Sequence, residues 1–137
     1  MSFDLLVFDP AIVECQDQKA FMDWYFQTTE WNEDHDYDDP VVATEALRDW
    51  FHDIRVEYPA MNGPYAVNDD QIDSPNVSDY SIALDAIYVG FAWSEQDGAF
   101  KTVTRFAEKH QLGVFHASSE NGEIWVPDDT GKLKRVQ

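Results

Sequence analysis

Residues Phe3 to Phe8 read FDLLVF, five apolar residues in six, and the run stops at Asp9-Pro10. A run so short and so apolar, stopped by Asp-Pro, reads as a buried strand. The chain is therefore committed to a sheet inside a core. Asp17 can cap a helix running to about Thr29, with Phe21, Trp24, Tyr25 and Thr28 on one face at i, i+3, i+4 and i+7. Asp39-Pro40 supplies a cap and first-turn pair for a second helix. Its apolar face is Leu47, Trp50, Phe51, Ile54 and Tyr58, and Pro59 ends it.

From Pro59 to Ser78 no periodicity is visible. Gly63, Pro64 and Pro75 punctuate this acidic loop, 59–78, with Asp69, Asp70 and Asp73 between them. A long irregular stretch inside a compact domain is either functional or a flexible insertion. Tyr80–Leu84 and Ile87–Trp93 read as strands around a tight turn at Asp85-Ala86. Ser94 to Asp97 has a capping-box-like spacing. It opens a third helix with Phe100, Val103, Ala107 and His110 inward, and Gly113 suits the turn past its end. Val114–Ala117 and Glu123–Val126 form a hairpin around Asn121-Gly122. The tail 130–137, with Lys132, Lys134 and Arg135, is expected to be basic and loose.

The order β-α-α-β-β-α-β-β predicts one domain over residues 1–137 of the α/β (α+β) class. It is a two-layer sandwich, a mixed sheet of about five strands with three helices on one face. Ile87–Trp93, the third helix and Val114–Ala117 form a βαβ unit, whose crossover should be right-handed.

Charge separates the two halves. Residues 1–79 hold 19 of the 27 acidic residues against three basic ones, whereas residues 80–137 hold 8 acids against 6 bases. Residues 30–79 alone hold 14 acids and 2 bases. With apolar residues at 44% and aromatics at 15%, the chain is too rich for disorder. It is a folded globule with an acidic coat. A net charge of −18 disfavours nucleic acid, which needs clustered Lys and Arg, and disfavours an anionic membrane surface. A basic protein is the natural counterpart, and charge of this sign speeds such an encounter. Cys15 is the single cysteine, so no internal disulfide and no cysteine metal site exist. No apolar run reaches the length of about 20 residues that a membrane span needs, and no signal-peptide pattern opens the sequence. The expected compartment is the cytoplasm.

The densest acidic stretch carries Glu30, Glu33, Asp34, Asp36, Asp38 and Asp39, with Trp31, His35 and Tyr37 set among them. Aromatic anchors inside a charged rim are what interface hot spots resemble. Trp31, Glu33, Asp34, His35, Asp36, Tyr37 and Asp38, with Asp69, Asp70 and Asp73 of the loop, are the candidate partner-binding residues. Against this, Trp31 and Tyr37 can pack into the core while the acids only face water.

A cation site is the third reading. Asp34, Asp36, Asp38 and Glu45 fall at positions 1, 3, 5 and 12 of an EF-hand loop. Position 6, normally glycine, is Asp39, and Pro40 follows it. Both weigh against calcium. Catalytic patterns are scarce. Cys15 precedes a helix, where a thiol pKa can fall, but has no histidine near it in sequence. The four histidines show no metal spacing, and no glycine-rich phosphate loop occurs. The residues imply no cofactor. A small hydrolase working through paired carboxylates or a metal is the alternative to binding. A homodimer through an apolar strand edge stays open.

Several runs resemble a group of small acidic bacterial proteins of unsettled activity. They are Asp4–Pro10, Trp31–Pro40, Met61–Pro64, Asp79–Ile82, Ala92–Ser94 and Gly122–Pro127. In size, acidity and α/β character the chain is also similar to immunity proteins of bacterial toxin systems. That resemblance implies a cytoplasmic inhibitor of a basic toxin domain, often a nuclease. It assigns no residue a role.

Overall fold

The computed structural model describes residues 2–137. Six strands form one sheet: β1 (Phe3–Phe8), β2 (Asp79–Ile82), β3 (Ala86–Phe91), β4 (Gly113–Phe115), β5 (Ile124–Pro127) and β6 (Leu133–Arg135). Three helices accompany them: α1 (Gln18–Thr28), α2 (Glu45–Ile54) and α3 (Gln96–His110). The strand order is β2-β3-β1-β4-β5-β6. This is a single α+β domain, with six strands where about five were expected. Among the described residues no helix is long and apolar enough to cross a membrane.

The sheet is antiparallel at every described pairing rather than mixed. The strands on either side of α3 do not pair. β1 lies between β3 and β4 and runs antiparallel to both, with Leu5 opposite Val89 and Leu6 opposite Phe115. The expected βαβ unit is therefore split by the first strand of the chain.

Alternation along β1 explains a second difference. Phe3, Leu5 and Val7 join one core with Leu47, Trp50, Phe51 and Ile54 of α2 and Ala99, Val103 and Ala107 of α3. Leu6 and Phe8 point the other way, into a second core with Phe21 of α1 and with Phe115, Ile124 and Val126. A strand apolar on both faces needs cover on both faces. Helices consequently flank the sheet on two sides, not one.

Local signals explain most element ends. Asp17 caps α1, its carboxylate accepting the Lys19 N–H at 3.1 Å. Asp39 caps only a 3₁₀ turn, Pro40–Val42, and Thr44 then caps α2. Gly113 is not the residue past the end of α3. Gln111 takes that left-handed position at φ 57°. Gly113 sits in β4, where a Cβ would lie 2.3 Å from Cζ of Phe8. The tail is not loose either. Asp128 Oδ1 accepts the N–H groups of Thr130 and Lys132, and the reversed chain pairs as β6 along β5. Lys134 and Arg135 then charge that outer edge, a common guard against strand addition.

Candidate functional site

The acidic stretch between α1 and α2 is pinned to the sheet. Trp31 leaves the helix in a left-handed conformation at φ 56°. An aromatic residue there carries about 1–2 kcal/mol of strain, which persists only when the surroundings hold it. They do. The Trp31 ring stacks edgewise on Tyr37 at 5.1 Å and lies 6.3 Å from Tyr88 of β3. The Tyr37 carbonyl accepts the Ile82 N–H at 2.8 Å. This lays the stretch along the outer edge of β2.

Glu33 is the clasp. Its Oε1 accepts the Leu84 N–H at 3.2 Å and faces His35 Nε2 at 2.7 Å. Its own N–H donates to the Tyr37 hydroxyl at 2.6 Å. His35 Nδ1 meets the Asp36 carbonyl at 2.8 Å. Both partners of the ring are acceptors, so imidazolium with two N–H donors suits the geometry. The Glu33 carboxylate, then the Asp36 carbonyl, raise the His35 pKa above its ordinary 6.5. A raised folded-state pKa makes this clasp fully stabilising below pH 6.5 and weaker as pH rises through the raised value. An NMR titration is expected to place His35 above 6.5, and Glu33→Gln to bring it back down. A wild-type His35 titrating at or below 6.5 would refute the clasp.

The loop 59–78 is closed at its neck. Ser78 N–H donates to the Pro59 carbonyl at 2.8 Å and Met61 N–H to the Ser78 carbonyl at 3.1 Å. Gly63, at φ 87°, lies directly on the Asp38 backbone, so the loop root and the acidic stretch touch. Asp69 and Asp70 sit in a 3₁₀ turn, Asp69–Gln71, and Asp73 follows it. All three are exposed. Thus Trp31 and Tyr37, both half-buried, act as braces, and Asp34 and Asp36 are presented to solvent.

Not every acid of this region is free. Asp53 and Glu57, on and just after α2, face the bases of α3. Asp53 binds Lys109 Nζ at 2.9 Å and His110 Nε2 at 2.6 Å, and Glu57 pairs with Arg105. Lys109 first, then His110, hold the Asp53 carboxyl below its ordinary value. Among the described residues, Asp34, Asp36, Asp38, Asp69, Asp70 and Asp73 make no ion pair. The strand order sets β2, beside which the acidic stretch lies, at one edge and the basic β6 at the other. At about 4.8 Å per strand, the two edges stand about 24 Å apart.

The calcium reading finds no gathered ligands. Among the described residues, no three His, Cys, Asp or Glu side chains are placed to hold a metal ion. Glu45 is the first residue of α2, behind the 3₁₀ turn and the Thr44 cap, and is not folded back on Asp34, Asp36 and Asp38. Cys15 is buried, and burial, then the Glu14 charge, push its thiol up rather than down. His110 serves Asp53, and the His116 ring packs between Phe3 and Phe100 at 5.3 and 5.6 Å.

Comparison with protein-family models, with curated proteins and with solved structures gave no match. The site must be read from its own chemistry.

One feature escaped the sequence reading. Next to Trp31 a cleft of about 310 Å³ opens on the α1 side of the sheet, lined by Asp4, Tyr25, Thr29, Asp79, Ser81, Tyr88 and Gly90 among others. α1 covers β1, β4 and β5 but leaves β2 and the end of β3 bare here. Tyr88 OH donates to Asp4 Oδ2 at 2.6 Å. Burial, and then the Asp4 carboxylate, raise the Tyr88 pKa, so the phenol stays a donor at neutral pH. Two signals were available in the sequence: a charge inside the apolar FDLLVF run, and a glycine inside a strand, which often marks a close approach.

Proposed function

We propose that this is a non-enzymatic binding protein whose acidic edge takes a basic protein. By its resemblance, that partner is a toxin held in check by this chain as an immunity protein or inhibitor. The supporting observation is the set of carboxylates that, among the described residues, have no counter-ion, in a stretch held beside β2 by Tyr37 and Glu33. Crowded like charges cost stability. Braces that hold such charges in place suit preorganised recognition, in which little ordering remains to be done on binding. The bases at the far edge give the molecule an electrical direction that would orient an incoming cationic surface. A cytoplasmic setting belongs to the same proposal and fits the lone, buried Cys15.

Immobilised protein in low-salt lysate is expected to retain a basic partner. Release should come by about 0.5 M salt, where surface charges are screened within a few ångströms. The combined variant Asp34→Asn, Asp36→Asn, Asp38→Asn should retain much less while melting no lower than the parent. Retention of nothing basic, or equal retention by the variant, would overturn the reading.

A further inference from the structure

We propose that the cleft beside Gly90 receives one arginine side chain of a basic protein partner, and this rests on the binding function above. Asp79, Gly90 and Asp4 stand opposite one another on β2, β3 and β1. Two strand spacings put the two aspartate Cα atoms about 10 Å apart. The missing side chain at Gly90 leaves a hollow over the sheet backbone between two carboxylates, bordered by the Ser2 side chain, whose Oγ would stand 3.5 Å from a Cβ there.

Three independent sources make this hollow favourable to a cation. The first is the carboxylate pair. Asp4 accepts the hydroxyls of Tyr88 and Ser2, yet an ionised carboxylate has room for about four donors. Asp79 is exposed. Neither makes an ion pair among the described residues. The second is α1, whose C-terminal turn ends at the cleft wall with Tyr25 and Thr29 and carries no basic residue. A helix C-terminus bears about half a negative charge. The third is aromatic. Trp31, Tyr25 and Tyr88 line the same cavity, and ring faces attract cations.

The ligand class follows from the shape. A planar guanidinium offers five N–H donors in a fork, can reach carboxylates on both sides and stacks on rings, which a compact ammonium does less well. A divalent metal is a poorer fit, because two carboxylates are fewer than the oxygen set it takes. The volume lies at the lower end for ligand pockets, suited to one side chain.

The test is an NMR titration of the ¹⁵N-labelled full chain with N-acetyl-arginine methylamide, its lysine counterpart and its neutral citrulline counterpart. The arginine compound should shift Gly90, Ser81, Tyr88 and the Trp31 indole, the lysine compound should bind more weakly, and citrulline should leave them still. Gly90→Val should weaken binding roughly tenfold, about the worth of one charge-assisted contact. A Cβ there meets Asp4 Oδ1 at an ordinary 3.4 Å and valine suits a strand, so the fold should survive. Asp79→Asn, on an exposed residue, should weaken binding similarly with an unchanged melting midpoint. Shifts spread evenly over the acidic surface would overturn the proposal. So would equal binding of citrulline or lysine, or no loss in either variant. A basic partner that binds Gly90→Val as tightly as the parent would refute the cleft alone. Arginine binding at the cleft without any basic partner would refute the wider function alone.

Discussion

Trp50→Ala is expected to cost about 3–5 kcal/mol of unfolding free energy, the usual range for deleting a fully buried tryptophan. Trp50 is 0% exposed and sits where α2, α3 and the sheet meet. Its indole N–H donates to the Val103 carbonyl at 3.3 Å, so truncation removes apolar burial and one hydrogen bond to α3, whose Val103 carbonyl keeps its intrahelical partner. Domains of this size hold about 5–15 kcal/mol in all, so one substitution should consume a large part of the total. The measurement is the urea midpoint at constant slope, valid while unfolding stays two-state. Trp50→Phe separates the two contributions. It keeps most of the buried area and loses the hydrogen bond, and should cost clearly less than alanine. A loss below about 1 kcal/mol for alanine would mean that the site collapses around the hole and that Trp50 is no keystone of the α2–α3 core.

That core was legible because its pattern is local. The i, i+3, i+4, i+7 spacing of Leu47, Trp50, Phe51 and Ile54 needs no knowledge of the partner surface, and all four are buried. The Asp17 cap of α1 was readable for the same reason. What escaped the sequence depends on partners distant along the chain. No local signal says that Phe3–Phe8 inserts between β3 and β4, since those pairings join residues 78–88 and 105–109 positions apart. Asp39-Pro40 is a sound helix-start signal, yet Thr44 offers a second one, and α2 begins there instead. The tail looked loose because three charges hide a strand whose position is set by the Asp128 turn and by β5.

The acidic stretch divides in the same way. Its charge is plain from composition. Its rigidity is not, because Glu33 is held by Leu84 and Tyr37 by Ile82, both strangers in sequence. The cleft is harder still, assembled from one residue of β1, two of β2, two of β3 and the end of α1. Composition thus carries the sign of the charge, while only the sheet register brings Asp4, Gly90 and Asp79 side by side.

Gly63→Ala is expected to part the acidic loop from the acidic stretch while the core stands. Two costs coincide at this position. At φ 87° a side chain meets about 1–2 kcal/mol of backbone strain. A Cβ would also fall 2.3 Å from the Asp38 carbonyl oxygen and 2.9 Å from the Asp38 Cβ. The nearest atom is backbone, so no side-chain rotation relieves the clash and one of the two segments must move. The loop is the softer of the two. It is tied at its neck by a few hydrogen bonds, whereas Asp38 lies between the Tyr37 bond to β2 and the Asp39 cap. Hydrogen exchange reads the outcome. The Val67 and Ser78 amides, bonded to Ala60 and Pro59, should exchange at least about tenfold faster, equivalent to about 1.4 kcal/mol. Amides of β1 and β3 should be unchanged. Gly63→Asn discriminates between the two costs, because asparagine visits the left-handed region readily but carries the same Cβ. Matching acceleration in both variants means that the contact with Asp38 joins the two acidic segments into one surface. Faster exchange in alanine alone would reduce Gly63 to a turn residue and leave the loop's acids, Asp69, Asp70 and Asp73, outside the proposed binding face.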